Sequence, residues 1–312
     1  MNRIRWALGF PDPNLDAKLT PIEAYNARLN RQMKTRFGPT IRRYEDELWD
    51  QCTRLSPVIE WVWKVSLGRW LFIKTTTLLA KEEIMATRFV ASHTSIPVPR
   101  VWMSFRWQWT HYIVMNRVDG IQLSDVWLTL SDDSKAIIAE QIRGYFSQLH
   151  NIPPPPEVGT RICSVAGGPI ADFRLRFIDG ETGPFRDEEH MNMRLRQCLS
   201  LSQFPDVVKA AHSRKHPRVF THNDLTPRNI MVDPVTGKIT ALVDWGCAGW
   251  FPTHWEYCKA MNFCNDMTDD GKDFRKWISK MLPVYELESE ADRTLMEMGL
   301  MMTFESLLED AT

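Results

Sequence analysis

Two stretches constrain this chain more than any other: Thr221-His222-Asn223-Asp224-Leu225-Thr226-Pro227-Arg228-Asn229-Ile230, and then Ala241-Leu242-Val243-Asp244-Trp245-Gly246. Asp224 lies five residues before Asn229, and Asp244 lies fifteen after it. Between them, Asn229 to Asp233 is a short apolar run, and Pro234-Val235-Thr236-Gly237 carries turn residues at both ends. Lys238 to Val243 is rich in β-branched and apolar residues. The pattern predicts a hairpin whose two ends bring Asn229 and Asp244 to one place. That convergence suits phosphoryl transfer. An Asp orients the proton of an attacking hydroxyl, while an amide oxygen and a second carboxylate hold Mg²⁺ against nucleotide phosphates. Mg²⁺ takes oxygen ligands, one or two of them carboxylates. H-x-D-x-x-x-x-N alone recurs by chance; the hairpin and Asp244 make the reading specific.

Composition narrows the rest. The 312 residues suffice for one large domain or two lobes, with 44% hydrophobic and 25% charged residues as in ordinary globular proteins. A formal net charge of −1 gives no electrostatic case for nucleic acid or a membrane surface. No apolar run approaches the ~20 residues of a membrane span, and Met1 to Pro11 lacks the apolar core of a secretory signal. Six scattered cysteines, with no C-x-x-C pair or zinc spacing, read as reduced thiols. A cytoplasmic protein is the expectation. The sequence sets no oligomeric state.

Along the chain, residues 1–54 read as a helical extension. Thr20 caps a helix with Pro21 at its first position. From 58 the pattern turns to strands at Glu60–Val65 and Arg69–Lys74, a helix over Lys81–Ser92, and strands at Val101–Phe105 and His111–Met115. Asn116-Arg117-Val118-Asp119-Gly120 is a polar connector. Ile137–His150 is an amphipathic helix stopped by four prolines from Pro153. Residues 157–190 read as loops, and the chain after the hairpin as helical to Thr312.

These blocks resemble the aminoglycoside phosphotransferase and choline kinase group, which shares a fold with protein kinases. The resemblance runs over about residues 55 to 300 and is nearest to fungal proteins of that group. It rests on Thr221 to Asp233, on Asp244-Trp245-Gly246 with Ala248-Gly249-Trp250-Phe251-Pro252, on Thr94 to Val101, and on Tyr112-Ile113-Val114-Met115. It implies an α+β, bilobal, protein-kinase-like fold. The parts would be a sheet-plus-helix N-lobe over 55–115, a hinge at 116–120, and a larger, mainly helical C-lobe over 121–312 with the catalytic hairpin at 220–246. It implies ATP and Mg²⁺ as cofactors, with Asp224 as the catalytic carboxylate and Asn229 and Asp244 as Mg²⁺ ligands. Lys74 would grip the nucleotide phosphates, paired with Glu83 or, one position earlier, Glu82. Met115, Asn116 and Val118 would border adenine through backbone groups. His222 would bond backbone groups beside the loop.

Two departures stand out. No G-x-G-x-x-G precedes Lys74, where Gly68 is the nearby glycine. Thr226 stands where many relatives carry a basic or imidazole side chain, with Arg228 nearby. The expected activity is phosphorylation of a small-molecule hydroxyl. Asp266, Asp269, Asp270, Glu286, Glu288 and Glu290 are placed to form an acidic rim suited to an amine-containing acceptor, or simply a solvated face. The alternatives are a non-catalytic nucleotide-binding protein of kinase fold, and a protein kinase. The run from Asp244 into Phe251-Pro252 and Trp255-Glu256-Tyr257 lacks the A-P-E that ends a protein-kinase activation segment. A degenerate scaffold would be expected to lose at least one of Asp224, Asn229 and Asp244.

Overall fold

The structure, a computed structural model, describes residues 70–76, 79–107, 110–175, 182–262 and 268–299. The expected extension over 1–54, the strand at 60–65, Gly68, Asp266 and the segment 300–312 lie outside them. The described residues belong to one compact unit, Leu67–Met301.

This unit opens with β1 (Leu71–Thr76), α1 (Ala80–His93), β2 (Val101–Trp107) and β3 (Thr110–Asn116). The strands form an antiparallel sheet in the order β1-β3-β2, with Lys74 opposite Ile113. In α1 the buried positions are Ala80, Glu83, Ala86, Thr87 and Val90, one stripe at helical spacing. Glu83 lies on that stripe and Glu82 does not, so geometry selects between the two rivals. Ala80, Ile113 and Met115 form the small core between helix and sheet.

The connector then crosses the hairpin. β4 (Ile121–Gln122) pairs with β7 (Ile230–Val232), which pairs in turn with β8 (Ile239–Leu242). Gly120, at φ 95°, sits against the Val232 carbonyl so closely that a Cβ would collide with it. Only glycine fits both demands. The hairpin matches the sequence expectation. Asp233 caps its turn by accepting the Val235 amide (2.8 Å), and Gly237 takes the left-handed position at φ 68°.

Mostly helical structure surrounds the hairpin: α2 (Leu123–Val126), α3 (Asp132–His150), α4 (Glu188–Leu195), α5 (Asp206–His212), α6 (Trp255–Asn262), α7 (Asp269–Arg275), α8 (Ile278–Met281) and α9 (Glu286–Glu297). Helix α3 begins at Asp132, ahead of the expected Ile137, because Ser131 accepts the Ser134 amide as N-cap. It buries Ile138, Ile142, Phe146 and Leu149 in the main core with Trp127, Trp245 and Trp250. The fold is therefore α+β, with a small sheet-plus-helix part ahead of a larger, mainly helical one. Among the described residues no helix is long and apolar enough to cross a membrane.

The chain after the hairpin is not all helix. Gly249–Pro252 forms β9, paired with β6 (Arg218–Thr221) on one side and β5 (Cys163–Ser164) on the other. A run holding both Gly and Pro reads poorly as a strand; burial of all four residues between two neighbours makes it one.

His150 closes α3 edge-on to Phe146, 6.2 Å between ring centres, and its Nε2 is buried with no partner among the described residues. Burial lowers its pKa from 6.5 to about 4. The folded state therefore binds this proton more weakly than the unfolded chain. The associated stability is intact above pH 6.5 and is lost as pH falls from 6.5 towards 4. Urea midpoints of wild type and His150→Leu at about pH 7 and about pH 5 test this. The wild type is expected to lose about 2 kcal/mol more than the variant over that interval; equal losses would contradict it.

Candidate active site

The site begins with strained backbone. Asn223 and Asp244 both adopt left-handed conformations, at φ 61° and 65°. Such positions cost free energy for non-glycine residues and persist where surrounding contacts fix them. At Asn223 those contacts are explicit. Glu256 of α6, buried at 2% exposure, accepts the Asn223 amide and the Thr221 hydroxyl on Oε2 and the Leu225 amide on Oε1 (3.0 Å). The Lys259 ammonium, one helical turn on, donates to the Asn223 carbonyl. The loop from 222 to 225 is thus pinned from below by one carboxylate and one ammonium on one helix.

A second buried network supports the same helix. Arg174 grips Asp172 through Nε (3.0 Å) and Nη2 (2.7 Å), lies 3.7 Å over the Trp255 ring and reaches Asp292 at 3.3 Å. Lys259 stands 3.6 Å from Asp172. Burial opposes the Asp172 charge, but Arg174 and Lys259 outweigh it and hold the carboxyl well below its usual range.

His222 fixes the loop from above. Its Nε2 lies 2.9 Å from the Val243 carbonyl and its Nδ1 accepts the Asp224 amide, so the Nε2–H tautomer satisfies both contacts. Asp224 is half-buried. The Asn229 amide nitrogen donates to its backbone carbonyl (2.9 Å) and to Oδ2 (2.7 Å). Arg228, largely exposed, reaches the same Oδ2 at 3.3 Å. Burial penalises the Asp224 charge, yet Lys259, Arg228 and the Asn229 hydrogen bond keep its pKa below the ordinary carboxylate value.

The hairpin closes as expected. The Val243 amide donates to the Asn229 carbonyl at 3.0 Å, tying residue 229 to the residue before Asp244. Asp244 turns its half-exposed carboxylate toward the small sheet, where Lys74 donates to Oδ1 at 2.8 Å. The same ammonium donates to Glu83 at 2.9 Å. Burial works against the Lys74 charge, but Asp244 and Glu83 raise its pKa above the ordinary value. Lys74, Glu83 and Asp244 therefore form one cluster, and Asp224, Asn229 and Arg228 another, joined by the hairpin base.

The connector residues differ in what they offer. Met115 is buried in central strand β3, opposite Phe72 and Val101. The Asn116 amide donates to the Arg100 carbonyl (3.0 Å), and its side-chain oxygen accepts the Arg100 amide. The Arg117 amide donates to the Trp70 carbonyl (2.8 Å). Val118 makes no backbone hydrogen bond among the described residues. Of Met115, Asn116 and Val118, Val118 is therefore the one with open backbone groups among the described residues.

Thr226, Arg228 and the acidic residues of the last helices differ in their surroundings. Thr226 is 2% exposed, so its hydroxyl faces the interior, and Arg228 is the basic group that reaches Asp224. The described acidic residues near the C-terminal helices differ in exposure. Glu288 is buried and pairs with Arg214 (3.1 Å), while Asp269 and Glu290 pair with Lys272 and Arg293 on their own helices. Burial pushes the Cys247 thiol beside the site up to about 12, which makes it a poor nucleophile.

The sequence reading did not single out Glu256, Lys259, Asp172 or Arg174. Their signal was the charged residues at 256 and 259, one turn apart in a helix otherwise lined by Trp255, Tyr257 and Cys258. Removing Glu256 orphans three donors, each costing about 1–3 kcal/mol when buried and unpaired. Glu256→Ala is expected to lower stability by at least about 3 kcal/mol in urea unfolding; a loss below about 1 kcal/mol would contradict the anchoring role.

Comparison with known proteins gives consistent matches. The model of the phosphotransferase enzyme family matches residues 72–277, more than half of the chain. An aminoglycoside 3'-phosphotransferase from Streptomyces ribosidificus is 27% identical over 158 residues, a match that covers 51% of this chain and 55% of that enzyme. The chain thus matches about half the length of that curated relative. Among solved structures, an aminoglycoside-3'-phosphotransferase of type VIII aligns with TM-score 0.46 and 17% identity, over 73% of this chain and 84% of its own. The ADP-bound aminoglycoside phosphotransferase APH(2'')-Ib aligns with TM-score 0.48 and 15% identity, over 78% and 84%. The extent of the family match decides the matter: this chain belongs to the phosphotransferase enzyme family.

Proposed function

We propose that the protein transfers the γ-phosphoryl group of ATP to a hydroxyl of a small molecule, with Asp224 as the catalytic carboxylate. The observation that carries the reading is the Asp224 environment. Its carboxylate is kept ionised, fixed by Asn229, faced by Arg228, and mounted on a loop anchored by Glu256. A carboxylate held this way can accept a hydrogen bond from an acceptor hydroxyl and orient its oxygen for in-line attack.

Lys74 is the proposed phosphate clamp. An ammonium balanced between Glu83 and Asp244 holds a long, flexible side chain in one place, and phosphates would compete for the same charge. Residues 55–115, the connector 116–120 and residues 121–312 are the proposed lobes and hinge. Adenine would lie against the connector, with Val118 supplying the open backbone groups and Met115 and Asn116 the adjoining wall.

The donors present fit Mg²⁺. Asn229 spends its amide nitrogen on Asp224, which leaves its amide oxygen for a cation, and Asp244 offers a half-exposed carboxylate with one oxygen outside the Lys74 contact. Held by Asn229 and Asp244, Mg²⁺ would supply positive charge that offsets that of the nucleotide phosphates. Arg228, placed beside Asp224, is suited to the charge that develops on the transferred group, a task Thr226 cannot perform. An amine-bearing acceptor, such as an amino sugar, draws support from the Streptomyces relative's name.

ADP formation with ATP, Mg²⁺ and a panel of amino sugars and amino alcohols tests the reading. Asp224→Asn is expected to lower turnover by about 10²–10⁴-fold while leaving ATP binding in place. Turnover unchanged in Asp224→Asn would overturn it. Arg228→Ala is expected to lower kcat about 10-fold or more with little change in the KM for ATP; an unchanged kcat would remove Arg228 from the mechanism.

A further inference from the structure

Glu188, His216 and His254 converge at the end of the β5-β9-β6 sheet away from Asp224. His216 stands just before β6, and His254 just after β9. Their ligand atoms, with the Glu188 carboxylate, all lie within 4.8 Å of one another. Glu188 Oε1 is 2.7 Å from His216 Nδ1 and 3.1 Å from His254 Nε2, and the two rings are 4.5 Å apart. All three side chains are largely buried.

We propose that this cluster is a binding site for a single zinc-class divalent cation, separate from the nucleotide site. Two imidazoles and one carboxylate are a donor set that zinc accepts with a fourth position open. Around a tetrahedral ion with Zn–N near 2.0 Å, ligand atoms stand roughly 3.3 Å apart. The His216 and His254 separations from Glu188 need to open by about 0.6 and 0.2 Å, with the two ligating nitrogens, within 4.8 Å of each other, adjusting to match. Glu188 is held for the task, because its Oε2 accepts the His216 amide at 2.8 Å and its Oε1 is left aimed at the rings.

The outer contacts point the same way independently. Nitrogens of metal-bound histidines that face away from the ion are held by hydrogen bonds, often to a carboxylate. Here His216 Nε2 meets Glu288 at 3.3 Å, and His254 Nδ1 meets the Cys258 sulfur at 3.6 Å. Glu188 and His216 also line a cavity of about 780 Å³, which gives an entry path and room for a water in the fourth position. A bound ion would join α4, the approach to β6 and the start of α6 at one point, with α9 held through Glu288. Helix α6 carries Glu256 and Lys259, so the ion would brace the support of the 222–225 loop.

The test is zinc titration of the full chain, stripped of metal and kept in excess Mg²⁺, with a chromophoric chelator as competitor. One equivalent of zinc is expected to bind to the wild type and to Asp244→Ala alike. Binding is expected to be lost in the His216→Ala/His254→Ala pair and weakened about 10–100-fold in Glu288→Gln. Cobalt(II) on the wild type gives a second readout that does not depend on a variant folding: intense visible bands of a four-coordinate ion are expected. Three results would overturn the proposal: no stoichiometric zinc uptake, six-coordinate cobalt spectra, or zinc binding unchanged in a folded double variant. In each of these cases the cluster is a metal-free hydrogen-bond network, with His216 bridging two carboxylates.

Discussion

The Lys74 ammonium, held between Glu83 at 2.9 Å and Asp244 at 2.8 Å, is the contact on which the site's architecture depends. It joins a strand, the following helix and a hairpin end from far along the chain. The pair is only partly buried, so its value is positional more than energetic. Exposed ion pairs contribute about 1 kcal/mol or less, whereas an ammonium fixed between two carboxylates defines where a polyanion would bind.

Beneath this contact the loop carrying Asp224 is held by charge buried in the core. Glu256 satisfies three donors, Lys259 one carbonyl, and Arg174 binds Asp172 through two nitrogens. Desolvating such groups is expensive, and well-packed apolar residues would often stabilise a fold as much. Their use here follows from the job. The left-handed Asn223 and its neighbours need specific acceptors for specific amides, and apolar packing supplies none. The same arrangement keeps Asp224 ionised, because Lys259 acts on it through a nearly dry interior.

Much of this was legible in the sequence for identifiable reasons. The hairpin was written in local chemistry: an apolar run, Pro234 and Gly237 at the turn, and a β-branched run. Glu83 over Glu82 followed once α1 set its stripe. What escaped depends on contacts distant in sequence. Strand β9 exists because β5 and β6 flank it, and Glu256 acts across 33 residues on Asn223. Glu288 read as one charge of an acidic rim or a solvated face, and no local pattern signals that Arg214 and His216 would draw it inside. Arg228 and Thr226 show the same limit at shorter range: two residues apart, one points to the open site and the other into the core.

The central claim is that the Lys74 cluster and the Asp224 cluster form one metal-dependent nucleotide site. Thermal unfolding of the wild type and Asp244→Ala with ATP, with and without Mg²⁺, tests it most directly, because a ligand that binds only the folded state raises its apparent stability. The account predicts a rise of several degrees for the wild type that requires Mg²⁺, grows with ATP concentration and disappears in Asp244→Ala. No rise at millimolar ATP in folded wild type, or an equal rise in the variant, would contradict it.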